Sequence, residues 1–279
     1  MRRLFCLATL NVAEDASIFQ GPSPGQCLQS RRENLPKVSP QRDYTPVNEV
    51  ESDVYGWLFF DHGWPEAIAQ RIDDAGAWLT LLAGISVLVP GWRRIGRDAI
   101  ACTVIAIWIL AMAVTHSLRG DVYAEWSLAE TAVRYAAPLA LICLTWKPDH
   151  RLARPIAIGL LTLATAATFT IHGVKAIQLH GPFTDLILLS NLRWTNWDLS
   201  QSLAERILLT IGWVDCLVAA CLLLARSRPI LLYMMFWGFI TAASRTTAFG
   251  LPAWPETLLR AANGGLPLVL LLLTRKPNP

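Results

Sequence analysis

Long apolar runs alternate with short polar segments over most of this chain. Ala75–Trp92, Ala99–Thr115 and Pro155–Ile171 contain no Asp, Glu, Lys or Arg. Four further runs, at about 128–146, 206–225, 229–247 and 257–274, are interrupted by one or two charges. A helix needs roughly 17–25 residues to cross the hydrocarbon of a bilayer. The pattern therefore predicts an all-α fold, a polytopic bundle of seven transmembrane helices.

Composition agrees with a lipid environment. The chain is 53% hydrophobic and 16% charged, whereas soluble domains carry roughly a quarter charged residues. The net charge of +3 is too small to point to nucleic acid. Basic residues are sorted by loop: Arg93, Arg94 and Arg97 follow the first run, Lys147, Arg151 and Arg154 the third, Arg226 and Arg228 the fifth, and Arg275 and Lys276 close the chain. The alternate loops hold Asp73, Asp74, Asp121, Glu125, Asp185 and Asp198. The positive-inside bias then sets the N-terminus outside and the C-terminus inside. Trp92, Trp126, Trp146 and Trp254 stand at helix ends, where interfacial anchors belong.

A repeated phrase organises these helices. Glu130-Thr-Ala-Val-Arg134 leads into Ala136-Ala137-Pro138, and Glu256-Thr-Leu-Leu-Arg260 leads into Ala261-Ala262 and then Pro267. Trp64, Ala69, Arg71 and Gly76 parallel Trp197, Ala204, Arg206 and Gly212. The expected layout is a 3+1+3 parallel repeat, with helix four between two triplets. Its divisions are a polar tail at 1–53, an interfacial amphipathic segment at 54–73, a first triplet at 74–154, a linking helix and long outer loop at 155–205, and a second triplet at 206–279. The tail is Pro-rich and polar. Arg2-Arg3 before Leu4–Leu10 resembles a signal peptide without a small-x-small site, and a misassigned start or a loose tail fits equally well. Cys6, Cys27, Cys102, Cys143, Cys216 and Cys221 show no metal spacing.

Ionisable groups gather near one membrane face. Glu130 and Glu256 start their helices, with Arg134 and Arg260 one turn deeper. His116, His172 and Arg245 end theirs, and Asp215 and Asn263 lie at similar depth. Charges within hydrocarbon cost roughly 2.5 kcal/mol or more and so turn inward to find partners. The spacing pairs each Glu with the Arg four residues on, and Asp215 with Arg245 or Arg260. Two readings stay open: ionic staples between helices, or an outward-facing pocket closed by the loop His172–Gln201. His116 and His172 are too sparse for a metal or haem motif. No nucleophile–base pair marks an enzyme.

The C-terminal part, about 155–274, resembles the DoxX-like family of bacterial membrane proteins. The matching residues are His172-Gly173, Gly212 with Asp215 and Ala219, Trp237-Gly238 with Arg245, and Glu256, Arg260 and Asn263-Gly264-Gly265-Leu266-Pro267. The resemblance implies a four-helix unit in a bacterial inner membrane. It also implies a quinone-linked or redox-associated subunit with a membrane or periplasmic protein partner. The 3+1+3 plan also resembles SWEET-type sugar transporters in layout alone, so a small-solute transporter or channel-like protein is the alternative.

Overall fold

The computed structural model describes residues 53–88, 95–120, 123–146 and 151–274. The tail 1–52 with Cys6 and Cys27, and the basic residues Arg93, Arg94, Lys147, Arg275 and Lys276, lie outside the described residues. Nine helices of seven residues or more are present among them. In chain order they are α1 (Glu66–Leu88), α2 (Ile95–Arg119), α3 (Ala132–Trp146), α4 (Ala153–Ile177), α5 (Gly181–Ser190), α6 (Gln201–Leu224), α7 (Arg228–Phe249), α8 (Trp254–Arg260) and α9 (Ala262–Leu273).

Among the described residues, five segments are long and apolar enough to cross a membrane, not seven. They are Asp98–Arg119, Ala124–Thr145, Ala153–Ile177, Gln201–Leu224 and Leu251–Leu273. The two expected spans that fall away are α1 and α7. The first half of α1 carries Glu66, Arg71, Asp73 and Asp74. The last turns of α7 carry Ser244, Arg245, Thr246 and Thr247. These polar residues dilute an otherwise adequate length.

Packing also overturns the 3+1+3 repeat. In the first triplet α1 packs on α2, and α2 on α3. In the second, α7 packs closely on α9, but α6 barely touches α7 and lies along α4 instead. The matched sequence phrases therefore do not carry matched packing.

The centre of the bundle is α4. Half of its apolar window is buried, against 22–33% for the other four spans. Ala157, Ala164, Thr165, Ala166 and Thr168 allow close approach, and α4 contacts α3, α6 and α9. Leu161, Leu222, Leu231, Met234 and Leu270 fill the core beside it. At one end, Arg154 donates to the Leu273 carbonyl at 2.5 Å, satisfying a terminal carbonyl of α9.

Two glycine contacts set the helix spacing. A Cβ on Gly212 of α6 would stand 2.7 Å from the Gly173 carbonyl oxygen of α4, and a Cβ on Gly173 would stand 2.8 Å from that of Gly212. A Cβ on Gly238 of α7 would meet the Asn263 carbonyl of α9 at 2.5 Å. Thus α6 is clasped to α4 and α7 to α9.

The segment expected to lie at the interface forms a helical turn at Asp53–Gly56 and a wider turn at Trp57–Asp61, followed by α1. Val54, Leu58 and Ala69 make a small core with Trp108 and Met112. Asp61 reaches Arg119 at 3.7 Å.

Candidate functional site

The site begins with a helix break. Ser127–Glu130 is one helical turn, and α3 restarts at Ala132. Thr168 of α4 inserts its hydroxyl here. It donates to the Ala129 carbonyl at 3.1 Å and accepts from the Val133 N–H at 3.4 Å. A side chain inserted into a helical ladder is a recognised cause of a kink. Farther on, Pro138 and Pro267 lie inside α3 and α9 and cannot donate to residues Arg134 and Asn263.

The break turns Glu130 toward α4. Lys175 Nζ donates to Glu130 Oε2 at 2.6 Å, and His172 Nε2 lies 3.7 Å from Oε1. His172 Nδ1 donates to the Thr168 carbonyl at 2.8 Å, since a carbonyl can only accept. The His172 ring stacks on Phe183 of α5 at 5.9 Å with 5° between planes. His180 meets Phe183 edge-on, and Tyr123 meets His180 in the same way.

Beyond His172 a cavity of about 310 Å3 opens between α4, α5, α6, α7 and the α8–α9 segment. Its walls are mostly apolar, with Phe169, Leu186, Ile187, Leu208, Ile211 and Ile240 among them. That size lies at the lower end of the range of about 300–1,000 Å3 for small-molecule sites. Its polar groups are His172, Asp215, Trp237, Arg245, Arg260 and Asn263, with the hydroxyls of Thr168, Ser190, Thr241 and Ser244.

Asp215 is only 5% exposed, and its Oδ1 has no hydrogen-bond partner. Trp237 faces it from α7 and is close enough to act on the carboxyl. The approach stops short of hydrogen-bond geometry, so Trp237 Nε1 is unpartnered too. Arg260 Nε is also buried without a hydrogen-bond partner, as is Arg134 Nε behind it. Arg245 lies 3.9 Å from Glu256. Arg134, Arg245 and Arg260 are within electrostatic range of one another.

Most of the residues expected to form the polar cluster do converge. His172, Asp215, Arg245, Arg260 and Asn263 line the cavity. Glu130 and Glu256 hold His172, Lys175 and Arg245 from behind, and Arg134 lies within electrostatic range of Glu130, Arg245 and Arg260. His116 stands in the last turn of α2 and does not line the cavity. The pairing differs from expectation. Glu130 reaches Lys175 and His172 rather than Arg134, and Arg245 pairs with Glu256. Asp215 pairs with neither arginine. Helix geometry explains part of this, because the break at Thr131 removes the regular spacing that would align Glu130 with Arg134.

The expected covering loop is largely helix. α4 continues to Ile177, and α5 supplies Phe183, Leu186, Ile187 and Ser190 to the cavity wall. Ser190 shares a 2.9 Å hydrogen bond with Thr247, and Trp194 Nε1 donates to the Thr247 carbonyl at 3.0 Å. These contacts pin α5 across the end of α7. Lys175 and the chemical role of Trp237 escaped the sequence reading. Lys175 was the accessible signal: a lone cation one turn past an uncharged run marks a helix that continues.

Among the described residues, no group of three or more His, Cys, Asp or Glu forms a metal-holding arrangement. No family model, curated protein or solved structure matches this chain. Its five apolar helices of membrane-crossing length fit a multi-pass membrane protein, and the chemistry of its cavity carries the functional reading.

Proposed function

We propose that this protein is a DoxX-like membrane subunit that holds the head of a lipid-soluble carrier of the quinone class in the cavity between α4, α6 and α7. One observation carries the reading. A mostly apolar cavity of about 310 Å3 contains a buried carboxyl and a buried indole N–H that lack partners within the protein. Burying such groups costs roughly 1–3 kcal/mol each in protein measurements, so a ligand that satisfies them gains affinity.

A quinone head suits these walls. Its flat ring fits between apolar side chains, and the Phe183–His172 stack offers a parallel face. Its oxygens can accept from the guanidinium of Arg260, which also lines the cavity. The C-terminal resemblance, which includes Asp215, Trp237, Arg245 and Arg260, supports the same class. Arg154, Arg226 and Arg228 sit at the opposite helix ends, and the positive-inside bias turns the cavity end away from the cytoplasm of a bacterial inner membrane. There a membrane or periplasmic partner protein could exchange electrons with the carrier. The transporter alternative needs polar groups through the whole depth. Leu161, Leu222, Leu231, Met234 and Leu270 instead pack the bundle core.

The test is mass spectrometry of lipids, quinones and proteins that accompany the gently solubilised full chain. Quinone enriched over the bulk membrane extract is the expected result. No enrichment, together with no rise in thermal midpoint on adding decylbenzoquinone, overturns the proposal.

A further inference from the structure

Resting on that binding-site reading, we propose that the ligand group recognised by the cavity is a hydroxyl, carried by a lipophile that comes from the bilayer through the gap between α6 and α7. The two unpartnered groups define the chemistry. An ionised carboxylate only accepts hydrogen bonds, and an indole N–H only donates. Asp215 Oδ1 and Trp237 Nε1 are both buried without a hydrogen-bond partner, and the two side chains are close neighbours in the cavity wall. A ligand carbonyl would satisfy Trp237 and set lone pairs against Asp215. An ammonium would satisfy Asp215 and leave Trp237 unmet. A hydroxyl serves both, its oxygen accepting from Trp237 Nε1 while its hydrogen is donated to Asp215 Oδ1. Within the quinone class this selects the reduced member, which bears hydroxyls where the oxidised member bears carbonyls.

The route follows from which helices are clasped. Asp215 is on α6 and Trp237 on α7. α6 is held to α4 at Gly173 and Gly212, and α7 to α9 at Gly238 and Asn263. Between themselves α6 and α7 make little contact. Ile240 of α7 lines the cavity yet is 59% exposed, so the cavity opens beside it. Phe236, one turn before Ile240 on the same face of α7, is likewise large, apolar and exposed. Such a surface faces hydrocarbon, so the opening meets lipid rather than water. From the other side α5 closes the cavity with Leu186 and Ile187.

The experiment uses the full chain in lipid nanodiscs and two probes of nearly equal size, 4-dodecylphenol and 4-dodecylanisole. They differ in whether the oxygen carries a hydrogen or a methyl group. The phenol should bind about tenfold tighter or better, the discrimination expected when a buried acceptor is left unpaired. Asp215→Leu should bring the two probes to equal affinity while leaving the chain folded by circular dichroism. Equal affinity of phenol and anisole for the unaltered protein overturns the hydroxyl assignment. If decylbenzoquinone still binds in that case, the broader binding-site reading stands. If no probe binds, both fail. For the route, Ile240→Trp should slow phenol association severalfold, and Leu209→Trp, on an exposed part of α6 outside the cavity lining, should not. An unchanged association rate for Ile240→Trp overturns the lateral route.

Discussion

Lys175 Nζ and Glu130 Oε2 lie 2.6 Å apart although the residues are 45 positions apart in sequence. The contact ties the end of α4 to the broken start of α3. Lys175 is nearly buried, with 7% of its side chain exposed. Removing one partner strands the other charge in a low-dielectric setting, which typically costs 3–5 kcal/mol. Because Glu130 keeps some exposure, Lys175→Met should cost about 3 kcal/mol, towards the lower end of that range. Chemical unfolding in detergent would measure it. The double variant Lys175→Met with Glu130→Gln should recover part of the loss; a fully additive double variant would show that the pair is not coupled.

Asp215 should behave oppositely. It lacks a hydrogen-bond partner at Oδ1 and is 5% exposed. A group retained for binding rather than packing weakens the empty protein. Asp215→Asn should therefore leave the thermal midpoint of the ligand-free protein unchanged or raise it. A drop equivalent to about 2 kcal/mol or more would place Asp215 among the groups that hold the bundle together.

The arginine partners separate in the same kind of measurement. Arg245 lies 3.9 Å from Glu256, so Arg245→Gln and Glu256→Gln should show a coupling of about 0.5–1 kcal/mol. Arg245→Gln and Asp215→Asn should add within about 0.5 kcal/mol. Strong coupling of Arg245 to Asp215 would contradict the observed pairing.

Helix spacing offers a steric test. Gly212→Ala would bring a methyl group 2.7 Å from the Gly173 carbonyl oxygen, and the neighbour is backbone. Overpacking of this kind costs about 1–3 kcal/mol. Gly159→Ala, on a part of α4 with nothing within 4 Å of the added carbon, should be neutral or slightly stabilising. Equal tolerance at both positions would deny that the clasp sets the α4–α6 distance.

Thr168 links the helix break to α4 through its hydroxyl. Thr168→Val keeps the shape and removes both hydrogen bonds, at about 1–3 kcal/mol. Thr168→Ser should restore most of it. If Val and Ser behave alike in thermal unfolding, the hydroxyl does not support the break.

Much of the cavity was legible before the fold. A charge or amide within a greasy run is costly to leave alone, so His172, Asp215, Arg245, Arg260 and Asn263 could be expected to gather, and they do. Their partners could not be read this way. The pairing of Glu130 with Lys175 depends on a break at Thr131 made by Thr168, which comes from a different helix. The pairing of Arg245 with Glu256 depends on how α7 meets the turn into α8. His116 was included because it ends an apolar run like the others, but its helix α2 packs on α1 and α3 rather than beside the cavity.

The amino-acid order alone determined that this chain is helical and suited to lipid, because apolar runs of that length have few other stable solutions in a bilayer. It also determined which residues would be costly to bury singly. The helix bounds and their composition reduced the expected seven spans to five among the described residues, and tertiary packing removed the repeat. It clasped α6 to α4 and α7 to α9 through glycines whose role depends on what lies opposite them. The space left between α6 and α7, with Asp215 and Trp237 in its wall, is a consequence of that clasping. No periodicity along one helix encodes it, since a cavity is a property of several helices at once.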